Sequence, residues 1–105
     1  MTHIIDQLFS ILKDRKSGDP EKSYVASLYG KGVRKICDKI MEEAQETVDE
    51  ALKGDNARLK EESADLLFHL MVLWAQQGLL PEDVFSVLEK RLGVSGHDEK
   101  ASRAK

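Results

Sequence analysis

Leu66, Leu67, Phe68, Leu70, Met71, Val72, Leu73, Trp74 and Ala75 follow one another with a single polar interruption at His69. At about 100° per residue these side chains cover the whole circumference of a helix, so such a helix has no face for water and must be central. The longest uninterrupted apolar run, Leu70 to Ala75, is far short of the roughly 20 residues that cross a bilayer. The constraint is therefore a buried helix in a small protein. A chain of 105 residues buries only about 60–70% of its unfolded surface. One domain is expected, with the apolar helix shared with another subunit, so a homodimer or higher homo-oligomer completes the fold.

The rest of the chain reads as helix around this element. Ile4, Ile5, Leu8, Phe9 and Leu12 have helical spacing and predict a short amphipathic helix over residues 3 to 14. "DRKSGDPEKSY" holds Gly18 and Pro20 among polar residues and predicts a loop. A long helix begins at Ser23 or Gly32 and runs to Lys53, with Val33, Ile36, Cys37, Ile40, Ala44, Val48 and Ala51 as its apolar stripe. "KGDN" stops it at Gly54 and restarts a helix at Asp55 or Asn56, which gives an antiparallel hairpin with the apolar helix of residues 57 to 77. Gly78 ends that helix, and Pro81 with Glu82 and Asp83 opens another whose Val84, Phe85, Leu88 and Leu92 are expected to pack inward. No strand pattern or repeat competes. The expected fold is all-α, a bundle of four to five helices on a central hairpin, with residues 1–93 as the domain and 94–105 as a polar tail, mobile unless a ligand or partner holds it.

A net charge of −3 gives no overall footprint for nucleic acid or an anionic membrane. Cys37 is the only cysteine and lies on the apolar side of its helix, so neither a disulfide nor a cysteine zinc site is available and a small buried hydrophobe is the expectation. The absence of a secretory n-region and h-region points to the cytoplasm.

Against this background the acids are out of place. Lys39, Glu43, Glu46 and Glu50 form a strip beside the apolar stripe of the long helix, while Glu42 points further toward solvent. On the apolar helix, Glu62, Asp65 and His69 at i, i+3 and i+7 lie along one line. Glu43 with Glu46 and Glu62 with Asp65 are two pairs that a hairpin can bring face to face. Each close pair of carboxylates repels by ~1 kcal/mol in water and ~4 kcal/mol at an intermediate dielectric, so a cation is expected between them. An all-oxygen donor set suits Mg²⁺, with Mn²⁺ as the second choice. Lys31, Arg34, Lys35 and Lys39 concentrate just upstream, and a metal-chelated polyphosphate is the ligand that bridges both charges. "EExxE" alone is an ordinary solvated helix face. Glu62 and Asp65 at the start of a buried helix are what raise it above that. Leu66 three residues before His69 departs from the Glu-x-x-His of di-iron bundles. His69 itself reads either as a hydrogen-bonded core residue or as a ligand or base.

"EEAQE" over 42–46 followed by "ESAD" over 62–65 resembles the E-E-x-x-E…E-x-x-D signature of the all-α nucleoside triphosphate pyrophosphohydrolases. Within that superfamily, "SYVASLYGKGVRKICDKIMEEAQETVDEAL" and "EESADLLFHLMVLWAQQGL" are most similar to the phosphoribosyl-ATP pyrophosphohydrolase family, over roughly residues 8 to 92. Val25, Met41 and Phe68 stand where that family usually has Thr, Gly and Tyr; none of these departures removes a carboxylate.

The resemblance implies that Glu43, Glu46, Glu62 and Asp65 hold Mg²⁺, with Glu42 a supporting acid and the general base among Glu42, Glu43 and Glu46. It implies that Lys35, Lys39 and Arg34 contact phosphates; Ser23 and Tyr24, at the loop-to-helix entry, are placed to close over the nucleotide. The implied reaction is hydrolysis by water of the α–β phosphoanhydride of 1-(5-phosphoribosyl)-ATP, giving the AMP derivative and pyrophosphate, the second step of histidine biosynthesis. No Ser or Cys stands beside a His and an acid, so no protein nucleophile is expected. Two other readings stay open at this level: a housekeeping pyrophosphohydrolase for ordinary or damaged nucleoside triphosphates, and a non-catalytic module whose acidic strip binds a basic partner.

Overall fold

In the computed structural model, which describes residues 3–93, the chain is all-helical. The tail of residues 94–105 lies outside the described residues. Helix α1 (Ile4–Asp14) runs into a one-turn 3-10 helix at Arg15–Ser17, and α2 (Tyr24–Lys31), α3 (Val33–Lys53), α4 (Asn56–Gln76) and α5 (Pro81–Lys90) follow. This is the all-α bundle with a central hairpin that the periodicity predicts, and no strand occurs among the described residues.

The two candidate starts of the long helix are both real and belong to different helices. Ser23 caps α2, its hydroxyl oxygen accepting from Ala26 N at 3.2 Å. Gly32 then breaks the chain between α2 and α3 with φ +90°, a conformation that residues with a Cβ rarely adopt. At the other end of α3, Gly54 is left-handed (φ +75°) and Asp55 N–H reaches back to Glu50 O at 3.1 Å. The Asp55 carboxylate accepts from Arg58 N at 3.1 Å and so starts α4 at once. The hairpin therefore turns within two residues.

Phe9 and Leu12 of α1, Val25 and Leu28 of α2, Ile36 of α3, and Met71, Val72 and Ala75 of α4 form one buried core. Tyr29 fastens its edge by donating to Leu12 O at 2.8 Å. All of these residues lie toward the α3 N-terminus and the α4 C-terminus. The opposite half of the hairpin projects with nothing over it among the described residues, and the core half is covered on one side only; together these explain three departures from the sequence expectation. Val48 and Ala51 of the apolar stripe are exposed, Cys37 is only half-buried, and α4 is enclosed on one side while Leu66, Leu70, Leu73 and Trp74 remain half-buried and Leu67 exposed. A fourth departure is at α5, where Pro81 is buried and Val84 and Phe85 are half-buried, but Leu88 and Leu92 face outward rather than inward because the helix packs chiefly on α1, and lightly. Among the described residues no helix is long and apolar enough to cross a membrane.

Candidate metal and phosphate site

The hairpin brings the predicted acids together. Glu43 on α3 and Glu62 and Asp65 on α4 each offer an oxygen, and these three oxygens lie within 4.8 Å of one another. The antiparallel pairing of α3 and α4 makes this possible, because successive turns on one helix face the other across a short gap. Glu43 is buried at 8% exposure, Glu62 is half-buried and Asp65 is exposed, so the group grades from the protein interior to water. Glu46 is not a member of the trio but neighbours Glu62, whose proton affinity it raises. Glu42 is exposed and takes a salt bridge from Lys39 Nζ at 3.2 Å.

Two buried oxygens of this group, Glu43 Oε2 and Glu62 Oε2, have no hydrogen-bond partner. With every acid ionised there is no donor to satisfy them, so the site relieves itself by taking up a proton or a cation. Hydrogen bonding with Glu46, burial, and hydrogen bonding with Glu43 push the Glu62 carboxyl up to about 7. Burial first, and then the Glu46 charge, raises Glu43 as well. Ligands about 2.1 Å from Mg²⁺ stand at most ~4.2 Å apart, a few tenths of an ångström inside the 4.8 Å spread of this trio. The donor set, its orphaned oxygens and its raised proton affinity all fit a hard divalent cation.

Lys39 precedes Glu43 by one turn and is half-buried. Its pairing with Glu42 holds its ammonium above the usual lysine value despite partial burial. Lys35 lies one further turn back on the same ridge, whereas Arg34 is set about 100° round the helix; both are exposed. Ser23, at the start of α2, spends its hydroxyl on capping that helix. Tyr24 comes to the site: its hydroxyl donates to His69 Nε2 at 2.8 Å; burial raises its pKa, opposed by the Lys39 charge and helped by the Glu43, Glu42 and Asp65 charges. Sequence reading found Tyr24 and His69 separately and missed their bond, because 45 residues separate them and no periodicity links them. Glu50 was placed on the acidic strip but serves elsewhere, paired with Lys53 at 3.3 Å and Arg58 at 3.3 Å beside the hairpin turn.

A cleft of about 470 Å³ lies between α1 and α5, lined among others by Asp6, Phe9, Pro81 and Phe85. It contains none of the clustered acids, and the candidate site is by contrast an open border between α2, α3 and α4.

The family model described as phosphoribosyl-ATP pyrophosphohydrolase matches residues 5–92. A phosphoribosyl-ATP pyrophosphatase of Azospirillum brasilense is 51% identical over 100 residues, covering 95% of this chain and 90% of that one. One from Rhizorhabdus wittichii is 50% identical over 105 residues, with coverage of 100% and 99%, and one from Methylococcus capsulatus is 52% identical over 100 residues, with 95% of each chain covered. The match takes in every helix and every acid described above, and the chain belongs to the phosphoribosyl-ATP pyrophosphohydrolase family.

Proposed function

We propose that this chain hydrolyses the α–β phosphoanhydride of 1-(5-phosphoribosyl)-ATP to 1-(5-phosphoribosyl)-AMP and pyrophosphate in a Mg²⁺-dependent reaction, the second step of histidine biosynthesis, in the cytoplasm. The observation that carries it is the trio of Glu43, Glu62 and Asp65 with its orphaned oxygens, beside a lysine held fully charged. Glu43, Glu62 and Asp65 would hold the ion, with Glu46 as the fourth carboxylate. Mg²⁺, when bound, supplies Lewis-acid stabilisation of the negative charge that builds on the phosphate oxygens.

The chain's own residues supply the rest. Lys39 and Lys35 donate to phosphate oxygens from the ridge that leads into the site, and Arg34 lies within the same turn for the distal phosphates. Water attacks one phosphorus of the α–β anhydride; one P–O bond forms, the bridging P–O bond on that phosphorus breaks, and the AMP derivative and pyrophosphate separate. The proton of that water passes to a carboxylate among Glu42, Glu43 and Glu46. Tyr24, at the mouth, and Ser23, beside it in sequence, bound the nucleotide. Holding these groups in line is the main source of rate in such a transfer, since no covalent intermediate is needed.

Pyrophosphate release from phosphoribosyl-ATP, dUTP and dCTP, each with Mg²⁺ and with a chelator, tests the reading. Turnover of phosphoribosyl-ATP well above the other two, lost on chelation, is expected. Comparable or faster turnover of dUTP or dCTP would replace it with a housekeeping pyrophosphohydrolase. No turnover of any of them would leave a binding module.

A second copy of the chain is the proposed cover for the projecting half of the hairpin. Met41, Val48 and Leu52 on α3 are 71%, 51% and 83% exposed and follow the spacing of one stripe, and two uncovered helices are marginal alone. Val48→Asp with Leu52→Asp is expected to convert a dimer to a monomer in light scattering; a wild-type protein that is itself monomeric at micromolar concentration sinks this assignment.

A further inference from the structure

Tyr24 is placed unusually for a surface tyrosine. Its residue is 52% exposed, yet its hydroxyl is turned inward to a histidine that is only 5% exposed. Helix α2, which Tyr24 opens, packs mainly on α3 and on the 3-10 turn, so this bond is a tie from α2 across to α4. His69 is in turn fixed on several sides. Its Nδ1 lies 2.8 Å from the carbonyl oxygen of Asp65, Phe68 meets it edge-on with ring centroids 5.3 Å apart, and Tyr24 does so at 5.9 Å.

A carbonyl oxygen only accepts, so Nδ1 carries the proton and Nε2 is left as the acceptor. The Tyr24–His69 bond thus has one direction, from the tyrosine O–H to the imidazole. With its hydroxyl pinned, the Tyr24 ring is held in one orientation at the border of the carboxylate trio. An aromatic face presented in this way, next to a site for polyphosphate, is suited to stacking on the base of a nucleotide.

Resting on the function proposed above, we propose that His69 is a positioning residue: it fixes the Tyr24 ring as a stacking platform for the purine of the substrate, while the same imidazole braces the turn of α4 that carries Asp65. It makes and breaks no bond with the substrate. Its effect passes through Tyr24 to binding and through the Asp65 backbone to the geometry of the carboxylates.

The test compares Tyr24→Leu, Tyr24→Phe, His69→Leu, His69→Gln and the Tyr24→Phe/His69→Leu pair, with kcat and KM separated and the histidine ¹⁵N signals of wild type and Tyr24→Phe recorded. Loss of the ring in Tyr24→Leu is expected to raise KM about tenfold or more with a much smaller change in kcat. Tyr24→Phe and His69→Leu each raise KM by roughly three- to tenfold, the pair is no worse than the larger single change, and His69→Gln, which can accept and donate at once, recovers part of the loss. In wild type the His69 Nδ1 carries a proton, and the Nε2 signal moves in Tyr24→Phe.

An unchanged KM in Tyr24→Leu, additive effects in the pair, or a His69 proton on Nε2 overturns the proposal. The ¹⁵N measurement and Tyr24→Phe decide it even if His69→Leu does not fold. A wild-type protein that fails to turn over phosphoribosyl-ATP, yet shows the expected tautomer, instead defeats the assigned reaction.

Discussion

Glu62→Gln is expected to lower the rate of pyrophosphate release by more than about a hundredfold. Residues that merely orient a metal ligand cost 10- to 100-fold when replaced, and Glu62 belongs to the oxygen trio itself. Fold and function separate cleanly at this position. Glutamine has nearly the same volume, so packing around α4 is retained, and the substitution removes a charge that is crowded by Glu43 and Glu46. The metal-free variant should melt no lower than wild type, and its circular dichroism should be unchanged. A variant that keeps wild-type turnover at saturating Mg²⁺ would remove Glu62 from the site, whereas one that loses helix would say nothing against the chemistry and would move the test to Asp65→Asn on the exposed side.

Without divalent ions, the protein should lose stability as pH rises from about 5 to 8. The Glu62 carboxyl rises from an ordinary value of 4.5 to about 7 in the folded chain, and Glu43 is raised as well. Across that window the folded chain binds more protons than the unfolded chain. The stabilisation is therefore fully present below about 4.5 and is lost as pH climbs through 7. Mg²⁺ does the work of the missing proton. At a hundred times its dissociation constant, a ligand that binds only the folded state adds about 2.7 kcal/mol, so Mg²⁺ at pH 8 should restore the melting temperature in a saturable way. Calorimetry in chelator and in a Mg²⁺ series checks both limbs. A melting temperature flat in pH and rising only as it would with any salt is the result of a solvated acidic face, and would count against a preformed site.

The pattern of success in sequence reading has a physical basis. Helix type and order were legible because apolar residues recur with the helical period, and both ends of the hairpin turn were legible because Gly54 and Asp55 have local conformational preferences. The carboxylate trio was legible for a related reason: Glu43 lies on a flank of one helix, Glu62 and Asp65 lie on a line of the next, and a short turn leaves few ways to arrange them. What escaped was set by tertiary contact. The inward expectation for Leu88 and Leu92 followed correct spacing but lacked the knowledge that α5 packs only lightly, and chiefly on α1. Periodicity gives a helix an apolar face without saying which neighbour receives it. The bond between Tyr24 and His69 had no sequence signal because it depends on how α2 lies against α3 after the break at Gly32, which brings its first residue within reach of α4.

The two-residue turn at Gly54 and Asp55 also governs which changes in chain length this protein can tolerate. One residue inserted beside it and taken up into the first turn of α4 would shift the rest of α4 by about 1.5 Å and through about 100° relative to α3, carrying Glu62, Asp65 and His69 away from their counterparts in a single motion. Added residues between Ser17 and Ser23 change no helix phase and can be absorbed as slack. Length variants should therefore accumulate in that first connection and be purged from the hairpin, even though both are short polar stretches.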